Sequence, residues 1–211
     1  DGDDPWHDAG SVALPDPSTD GDESVAAALA ARRSRREYGP GPLSIDDLGQ
    51  LLWAAQGVTD PASGGRTAPS AGARYPLETY VVVGSNGVGS LDAGVYRYRP
   101  ERHDLLAGAA GDRRPRLRRA ALDQPPVGAA PVSVVCCGVD ERTTTRYGDR
   151  GRLRYVPMEA GHAAENVYIA AEARGLATVA VGAFDDDEVR AVLDAPADRR
   201  PLYVLPVGPR T

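Results

Sequence analysis

Apolar side chains recur at helical spacing in several stretches of the chain. The clearest stretch follows Ser44, which has Asp47 at the spacing of a capping box. Its apolar face consists of Leu48, Leu51, Leu52 and Ala55. Ser24 is placed to cap an earlier helix, and Gly175 is placed to end a long amphipathic one. The pattern therefore predicts helices that begin near Ser24 and Ser44, and three more over residues 114–122, 158–174 and 185–193.

The continuous apolar run over residues 79–83 predicts a strand that is covered on both faces, and residues 132–137 predict a buried strand. Residues 178–181 and 202–207 predict two more strands. Two further segments, residues 94–98 and 104–107, predict a β-hairpin. Since strands and helices are mixed without a steady βαβ alternation, the expected fold class is α+β. We expect one domain over residues 23–211, preceded by an acidic N-terminal arm over residues 1–22 that shows no hydrophobic period.

All 24 basic residues are arginines, and the formal net charge of the 211-residue chain is −6. The absence of lysine excludes a lysine Schiff base and a P-loop lysine. Arginines concentrate over residues 113–119, where the net negative charge favours a solvated helix face or a subunit contact over a nucleic-acid site. No apolar run approaches the length of a membrane span. The sequence therefore predicts a protein that binds neither nucleic acid nor membranes.

Two possible metal or redox motifs are interpreted as structural. Cys136 and Cys137 are adjacent in a predicted strand, so their thiols should point to opposite faces. A disulfide framework or a zinc site needs other spacings and more ligands, and the composition fits a reducing cytoplasm. Glu159 and His162 share a helix face as in di-iron bundles, but those sites need a second such motif and two further carboxylates. No metal site is predicted.

The first candidate binding segment is a cluster of cations at the end of the first predicted helix, formed by Arg32, Arg33, Ser34 and Arg36. Dense guanidinium groups repel one another unless an anion neutralises them, and they bind phosphate bidentately. The alternative is a solvated cationic helix end, since cations are favoured at that end of the helix dipole.

Two further candidate segments are rich in small residues. The loop over residues 69–73 would let a ligand lie close to the backbone, although it could equally be an ordinary connector. Gly182 and Ala183 stand where a predicted strand ends and a helix begins, which leaves backbone N–H groups unpaired. Each signal is weak alone, and the order and spacing of all three carry the argument.

Together with other motifs, these segments form one ordered series: Arg32-Arg33-Ser34-x-Arg36-x-Tyr38, Leu51-Leu52-Trp53-Ala54-Ala55-Gln56-Gly57, Gly65-Arg66-Thr67-x-Pro69-Ser70-Ala71-Gly72-Ala73-x-Tyr75-Pro76, Tyr147-Gly148-x-Arg150-Gly151, Glu159-Ala160-Gly161-His162 and Gly182-x-Phe184-Asp185. Over residues 24–208 the series resembles the nitroreductase superfamily of FMN-dependent oxidoreductases, and most closely its SagB/ThcOx-type dehydrogenase branch. The resemblance implies a central, mostly antiparallel sheet flanked by helices, and an intertwined homodimer with one FMN at each of two interface sites.

The resemblance also implies a role for each segment. Arg32, Arg33, Ser34 and Arg36 would bind the phosphate, ribityl chain and pyrimidine edge of FMN. The loop that would line the isoalloxazine from the partner subunit consists of Pro69, Ser70, Ala71, Gly72 and Ala73. Gly182 and Ala183 would lie near flavin N5, and Arg210 would add a phosphate-binding cation.

Hydride would pass through flavin N5 between a donor, either NAD(P)H or an organic substrate, and a small-molecule acceptor. Azoline-oxidising members of the branch are expected to carry a Lys-Tyr pair that assists proton removal, and the corresponding pair here is Arg146-Tyr147. Arginine stays protonated and cannot act as the base, which leaves Tyr147 for that role. A general reductase or dehydrogenase is therefore favoured over an azoline dehydrogenase, and a non-catalytic FMN-binding partner protein is the remaining alternative.

Overall fold

The computed structural model describes Trp6 and residues 9–211. The described part contains nine strands: β1 (Ser11–Ala13), β2 (Val58–Asp60), β3 (Gly65–Arg66), β4 (Leu77–Val83), β5 (Gly94–Arg99), β6 (Asp104–Ala110), β7 (Val132–Val139), β8 (Leu176–Thr178) and β9 (Arg199–Pro209). Its α-helices are α1 (Val25–Ala31), α2 (Ile45–Gln56), α3 (Arg114–Ala120), α4 (Pro125–Ala129), α5 (Glu141–Tyr147), α6 (Val156–Ala173) and α7 (Asp186–Leu193).

Seven of the strands form one sheet in the order β1-β6-β5-β4-β7-β9-β8, and every neighbouring pair is antiparallel. The remaining two, β2 and β3, form a small separate ribbon. Helices cover both faces of the large sheet, so the α+β fold with a mostly antiparallel sheet is confirmed. No helix in the described part of the chain is long and apolar enough to cross a membrane.

The two faces of the sheet bury separate hydrophobic clusters. On one face α2 and α6 pack against β4, β7 and β9, and on the other α3 and α7 do so. Because side chains alternate along a strand, Cys136 belongs to the first cluster and Cys137 to the second. Their membership of separate clusters confirms that the two thiols point to opposite faces, and both are free and fully buried.

The helix ends follow the predicted caps. The hydroxyl oxygen of Ser44 accepts a hydrogen bond of 2.9 Å from the backbone N–H of Asp47, and that of Ser24 accepts one of 3.1 Å from the N–H of Ala27. Asp185 caps α7 through the N–H of Glu188, and Gly175 adopts a φ of 66° just after α6.

The structure adds elements for which the sequence gives no periodic signal. A strand, β1, lies within the predicted acidic arm and pairs with β6, although three residues are too few to show an alternation. The predicted loop between α2 and β4 contains β2, β3 and a short 3-10 turn, Ala71–Ala73. Helices α4 and α5 and a π-helical turn, Gly151–Tyr155, were not predicted because none has a long apolar face. The domain boundary at residue 23 stays a prediction.

Candidate functional site

The cationic segment Arg32–Arg36 is an extended stretch that follows α1 and lies beside β8. The backbone N–H of Arg35 donates a hydrogen bond of 2.9 Å to the carbonyl of Thr178, the last residue of that strand. Arg32 ends α1 as its C-cap with a non-helical φ of −50° and ψ of 128°. The guanidinium groups therefore stand outside the helix, on a strand-like backbone that the sheet edge holds in place.

The arginines of this segment have different environments. Arg33 and Arg36 are exposed, and one guanidinium nitrogen of Arg33 donates to two nearby carbonyls. Arg32 lies over the ring of Tyr168 at 5.2 Å from its centroid and faces Glu165 at 3.7 Å. Exposed guanidinium groups on one short segment leave forked donors free for an anion.

Arg35 and Arg210 both turn toward Glu172 on α6. Arg35 Nη2 lies 3.4 Å from one carboxylate oxygen of Glu172, and Arg210 Nη1 lies 2.5 Å from the other. The Glu172 side chain is only 8% exposed, whereas those of Arg35 and Arg210 are 32% and 39% exposed, so both ion pairs are partly open to water. The structure thus brings Arg210 beside the cationic segment, and one of its donors is occupied by Glu172.

A buried tyrosine joins the cationic segment to Ala180, just before the predicted N5 turn. The hydroxyl of Tyr168 lies 2.9 Å from Ser34 Oγ, and its oxygen accepts a hydrogen bond of 2.7 Å from the backbone N–H of Ala180. Two residues further on, Gly182 and Ala183 are exposed, and the carbonyl of Ala183 accepts a hydrogen bond from Gln124. Tyr168 therefore links one predicted segment to Ala180, two residues before the second.

The loop over residues 69–73 forms a tight turn with left-handed backbone. Gly72 has a φ of 62° and Ala73 a φ of 52°. Ser70 Oγ accepts a hydrogen bond of 2.8 Å from the backbone N–H of Tyr75, which closes the turn. Among the residues that the structure describes, no hydrogen bond or ion pair joins this loop to the cationic segment of the same chain.

Instead, the structure brings the loop together with the predicted catalytic pair. A Cβ added to Gly72 would lie 2.5 Å from Tyr147 Oη and 3.3 Å from Arg146 Nη1. The ring of Tyr147 packs edge-on against the ring of Tyr155, with 4.9 Å between their centroids. The guanidinium of Arg146 lies over the Tyr147 ring, 5.4 Å from its centroid. The Tyr147 hydroxyl is thus held directly against the small-residue turn.

Helix α6 carries a buried carboxyl group that the sequence pattern does not place in the site. Glu159 is 2% exposed. Burial raises the pKa of Glu159 to about 7, although the nearby Ser70, Arg66 and Gln56 side chains act to lower it. The Glu159-His162 motif was visible in the sequence, but His162 is exposed while Glu159 is buried, so the two do not form one site.

Comparison with known proteins agrees with this architecture. The model of the nitroreductase family matches residues 29–209. The chain is 47% identical over 180 residues to "Putative nitroreductase MJ1384" of Methanocaldococcus jannaschii, across 85% of this chain and 88% of that one. A nitroreductase-type structure from Ralstonia eutropha superposes with a TM-score of 0.82 at 29% identity, and covers 95% of this chain and 90% of its own.

A third comparison links the chain to a protein of a peptide-processing complex. The structure of the Escherichia coli microcin synthetase McbBCD complex with truncated pro-MccB17 contains a chain that matches with a TM-score of 0.73 and 26% identity, over 98% of this chain and 80% of that one. The fold and the matched residues define an oxidoreductase, and this chain belongs to the nitroreductase family. Within that superfamily it falls in the SagB-like branch.

Proposed function

We propose that this chain is an FMN-dependent oxidoreductase that works as a homodimer, with one flavin at each of two subunit interfaces. Hydride would pass through flavin N5 between a donor, NAD(P)H or an organic substrate, and a small-molecule acceptor. Members of the nitroreductase family typically bind FMN. A cytoplasmic location is part of the proposal and rests on the composition.

The observation that carries the proposal is the pair of contacts by which Tyr168 links the cationic segment to Ala180, two residues before the Gly182–Ala183 turn. Ser34 and Ala180 contact the same hydroxyl, at 2.9 and 2.7 Å. FMN has a phosphate at one end and a planar ring at the other, so a flavin site needs an anion-binding cluster and an open, small-residue surface beside it. The exposed guanidinium groups and the exposed turn fit both needs.

Each segment has a role that suits its chemistry. Arg32, Arg33, Ser34 and Arg36 would bind the phosphate, the ribityl chain and the pyrimidine edge, with Arg210 as a supplementary cation. A guanidinium at the pyrimidine edge favours the negative charge that reduction places on a flavin. The backbone N–H groups of Gly182 and Ala183 would be directed at N5. When bound, FMN supplies the hydride chemistry, while the protein supplies position and electrostatics.

The dimeric site is supported by two features of the single chain. The loop over residues 69–73 has no described bond to the cationic segment, as expected if each loop lines the flavin of the partner subunit. Large apolar side chains are also exposed on α1 and around the start of α6: Val25 at 69%, Leu29 at 53%, Leu153 at 72% and Met158 at 55%. Such exposed apolar side chains are available for a subunit interface.

A flavin-loading experiment tests the proposal. The purified protein should be yellow and should absorb near 450 nm, and Arg33→Ala and Arg36→Ala should each weaken FMN binding about 10- to 100-fold, the range for loss of a charge-assisted hydrogen bond. Arg116, exposed on α3, supplies the matched control, because Arg116→Ala removes the same charge far from the segment. A protein that cannot be loaded with FMN would contradict the proposal.

A stopped-flow experiment then separates an enzyme from a non-catalytic flavin binder. Anaerobic addition of NADH or NADPH to the FMN-loaded protein should bleach the 450 nm band if nicotinamide is the donor. Reduction by an organic substrate alone would identify a dehydrogenase. Failure of every donor to reduce the flavin would instead favour a flavin-binding partner protein.

Azoline oxidation in peptide modification is the second candidate, and Tyr147 supports it. Its hydroxyl lies against Gly72, at the turn that would line the isoalloxazine, where a base could remove a substrate proton. Arg146 is exposed and cannot accept a proton, which weakens this candidate. Arg146→Lys should raise the rate of azoline oxidation if the activity is latent, and Tyr147→Phe should abolish it. A lack of any azoline-dependent flavin reduction by both wild type and Arg146→Lys would remove this candidate.

A further inference from the structure

Strands β4 and β5 separate at one end. Their pairing stops at Tyr80 and Arg97, although β4 begins three residues earlier, at Leu77, and β5 continues two residues further, to Arg99. On its other side β4 stays paired with β7 from Leu77 onward. Residues at this end of both strands line a cleft of about 300 Å³, a volume at the lower end of the range for small-molecule pockets.

The wall that β4 contributes contains a polar atom without a partner. Leu77, Glu78 and Thr79 all line the cleft, as expected where a strand has no neighbour along that edge. Thr79 is 2% exposed, and its Oγ1 has no hydrogen-bond partner among the described residues. Buried polar atoms without partners are uncommon in folded proteins and call for an explanation. A polar ligand in the cleft would supply the missing partner of this hydroxyl.

Two arginines of the cleft share one carboxylate. Glu78 accepts a hydrogen bond of 2.6 Å from Arg142 and one of 2.7 Å from Arg199. Burial opposes the ionisation of Glu78, yet these guanidinium groups hold the pKa of its carboxyl below the usual range. Two cations on one carboxylate leave one positive charge in excess.

The remaining ion pairs of the cleft join buried cations to exposed anions. The Arg66 side chain is 10% exposed and pairs at 2.6 Å with Glu101, which is 65% exposed. The Arg199 side chain is 14% exposed, and its second partner, Asp198, is 59% exposed. An exposed carboxylate loses little when it returns to water, whereas a poorly hydrated guanidinium group needs an anion. A ligand anion can therefore replace Glu101 and Asp198 as the partner of these two cations.

Two further arginines line the cleft but make contacts outside it. Arg99 donates two hydrogen bonds to the carboxylate of Asp104, at 2.7 and 2.5 Å, and the guanidinium of Arg97 lies over the ring of Trp6 at 5.7 Å from its centroid. The charge available to a ligand therefore rests on the other three guanidinium groups.

We propose that this cleft binds a small dianion, which accepts hydrogen bonds from Arg66, Arg142 and Arg199 and contacts the Thr79 hydroxyl. Glu78 neutralises one of the three cations, so the excess corresponds to two charges. A dicarboxylate and a phosphate monoester share the required chemistry, a pair of negative charges that accept forked N–H donors. The site is separate from the proposed flavin site, because its lining includes no residue of the cationic segment, the loop over residues 69–73 or the Gly182–Ala183 turn.

Titration calorimetry of the full chain with succinate, inorganic phosphate and acetate tests the proposal. A dianion should bind about tenfold more tightly than acetate, because a single carboxylate meets only one of the two excess charges. Tighter binding of succinate would support a dicarboxylate as the ligand, and tighter binding of phosphate would support a phosphate monoester. Equal binding of acetate, or no binding of either dianion at millimolar concentration, would overturn the inference.

Two variants locate the bound anion. Arg142→Gln should weaken dianion binding about 10- to 100-fold, the range for loss of a charge-assisted hydrogen bond. Thr79→Val keeps the shape of the side chain and removes an unpartnered hydroxyl, so it should weaken binding about 2- to 10-fold without lowering the free energy of unfolding. A purely structural role of the threonine would not produce that combination. Unchanged dianion affinity in both variants would contradict the proposed site.

Two controls exclude other positions for the anion. Arg116→Gln removes an exposed charge on α3, outside the cleft, and is the matched control for Arg142→Gln. Arg36→Ala tests the cationic segment, since inorganic phosphate resembles the phosphate of FMN. Dianion affinity should be unchanged in both. Binding that is lost in Arg36→Ala but retained in Arg142→Gln and Thr79→Val would overturn the inference and would instead support the cationic segment as the anion site.

Discussion

Gly72 is restricted both by its backbone and by its neighbours. Its φ of 62° is in the left-handed region, and an added Cβ would lie 2.5 Å from Tyr147 Oη. Gly72→Ala should therefore lower the free energy of unfolding by about 1–2 kcal/mol through backbone strain and should displace the tyrosine as well. The displacement can be read as weaker FMN binding.

Variants of two other glycines separate the effect of backbone strain from that of the contact with Tyr147. Gly64 has a φ of 73° but open space around its Cβ position, so Gly64→Ala measures backbone strain alone. Gly89 also has open space and does not need a positive φ, so Gly89→Ala should be close to neutral. If Gly72→Ala affects stability and FMN binding no more than Gly64→Ala does, the packing of the turn against Tyr147 is unimportant for the site.

The raised pKa of Glu159 also predicts how the stability of the flavin-free protein depends on pH. Its pKa is raised from an ordinary value of 4.5 to about 7 in the folded chain. As the pH rises, the unfolded chain therefore loses this proton at a lower pH than the folded chain does. The contribution of protonated Glu159 to the stability of the fold is full below pH 4.5 and is lost as the pH rises to about 7. The loss should be about 3 kcal/mol for the wild type.

Urea unfolding at a series of pH values measures this loss. Glu159→Gln should lack the decline between pH 4.5 and 7, since an amide does not titrate, whereas the exposed Glu188→Gln control should retain it. Equal pH dependence in wild type and Glu159→Gln would show that the carboxyl is not held neutral by the fold.

At the scale of elements, the two serine caps differ in what their helices contribute. Helix α2 buries seven of its twelve residues against the sheet, whereas α1 buries only Ala28. Ser44→Ala should therefore lower the global free energy of unfolding by about 1 kcal/mol. Ser24→Ala removes an equivalent hydrogen bond from a helix that can fray by itself.

The two variants are distinguished by pairing denaturant unfolding with amide hydrogen exchange. Ser24→Ala should leave the unfolding midpoint almost unchanged and should speed exchange in α1, next to the cationic segment. A global loss of stability from Ser24→Ala as large as that from Ser44→Ala would mean that α1 folds cooperatively with the sheet.

The elements predicted from the sequence are those with a strong local signal. Helix α2 has a capping serine and an apolar face, and β7 is apolar except for Ser133 and Gly138, so the sequence predicts both close to their observed bounds. Helix α5 and the π-helical turn after it are rich in arginine, threonine and tyrosine and have almost no buried residues. Their structure depends on packing against neighbouring elements, which no local pattern reports.

At the scale of the whole molecule, the N-terminal segment lies along the edge of the sheet. Strand β1 pairs with β6, His103 Nε2 lies 2.9 Å from the carbonyl of Pro15, and Gln50 exchanges two hydrogen bonds with the backbone of Ser18. Removal of residues 1–22 should expose the edge of β6, which lowers stability and promotes association through that edge.

Thermal unfolding and light scattering of the chain with and without residues 1–22 measure this effect. A shortened chain of residues 23–211 that folds with a lower melting temperature and a raised tendency to aggregate would support a domain boundary at residue 23 and an edge-covering role for the arm. An unchanged melting temperature would show that the arm adds nothing to the domain.

The candidate site, like the fold, could be predicted from the sequence only where the signal is local. The sequence alone identified the cationic segment, the small-residue loop, the Gly182–Ala183 turn and the Arg146-Tyr147 pair, because each is a short run of unusual composition. Their roles came from a resemblance in order and spacing. The assignment of these residues to FMN stays a prediction, and the experiments above test it.

The sequence by itself determined the α+β class, the caps, the covered strands and the family, because periodicity, capping residues and ordered motifs are local properties of the chain. Only the tertiary structure decided which segments meet: Tyr168 joins Ser34 to Ala180, and Tyr147 lies against Gly72. It also decided that Glu159 is buried while His162, three residues away on the same helix, is exposed. Burial and the pKa that follows from it depend on neighbours distant in sequence, so no pattern along the chain could have shown that this carboxyl group is buried.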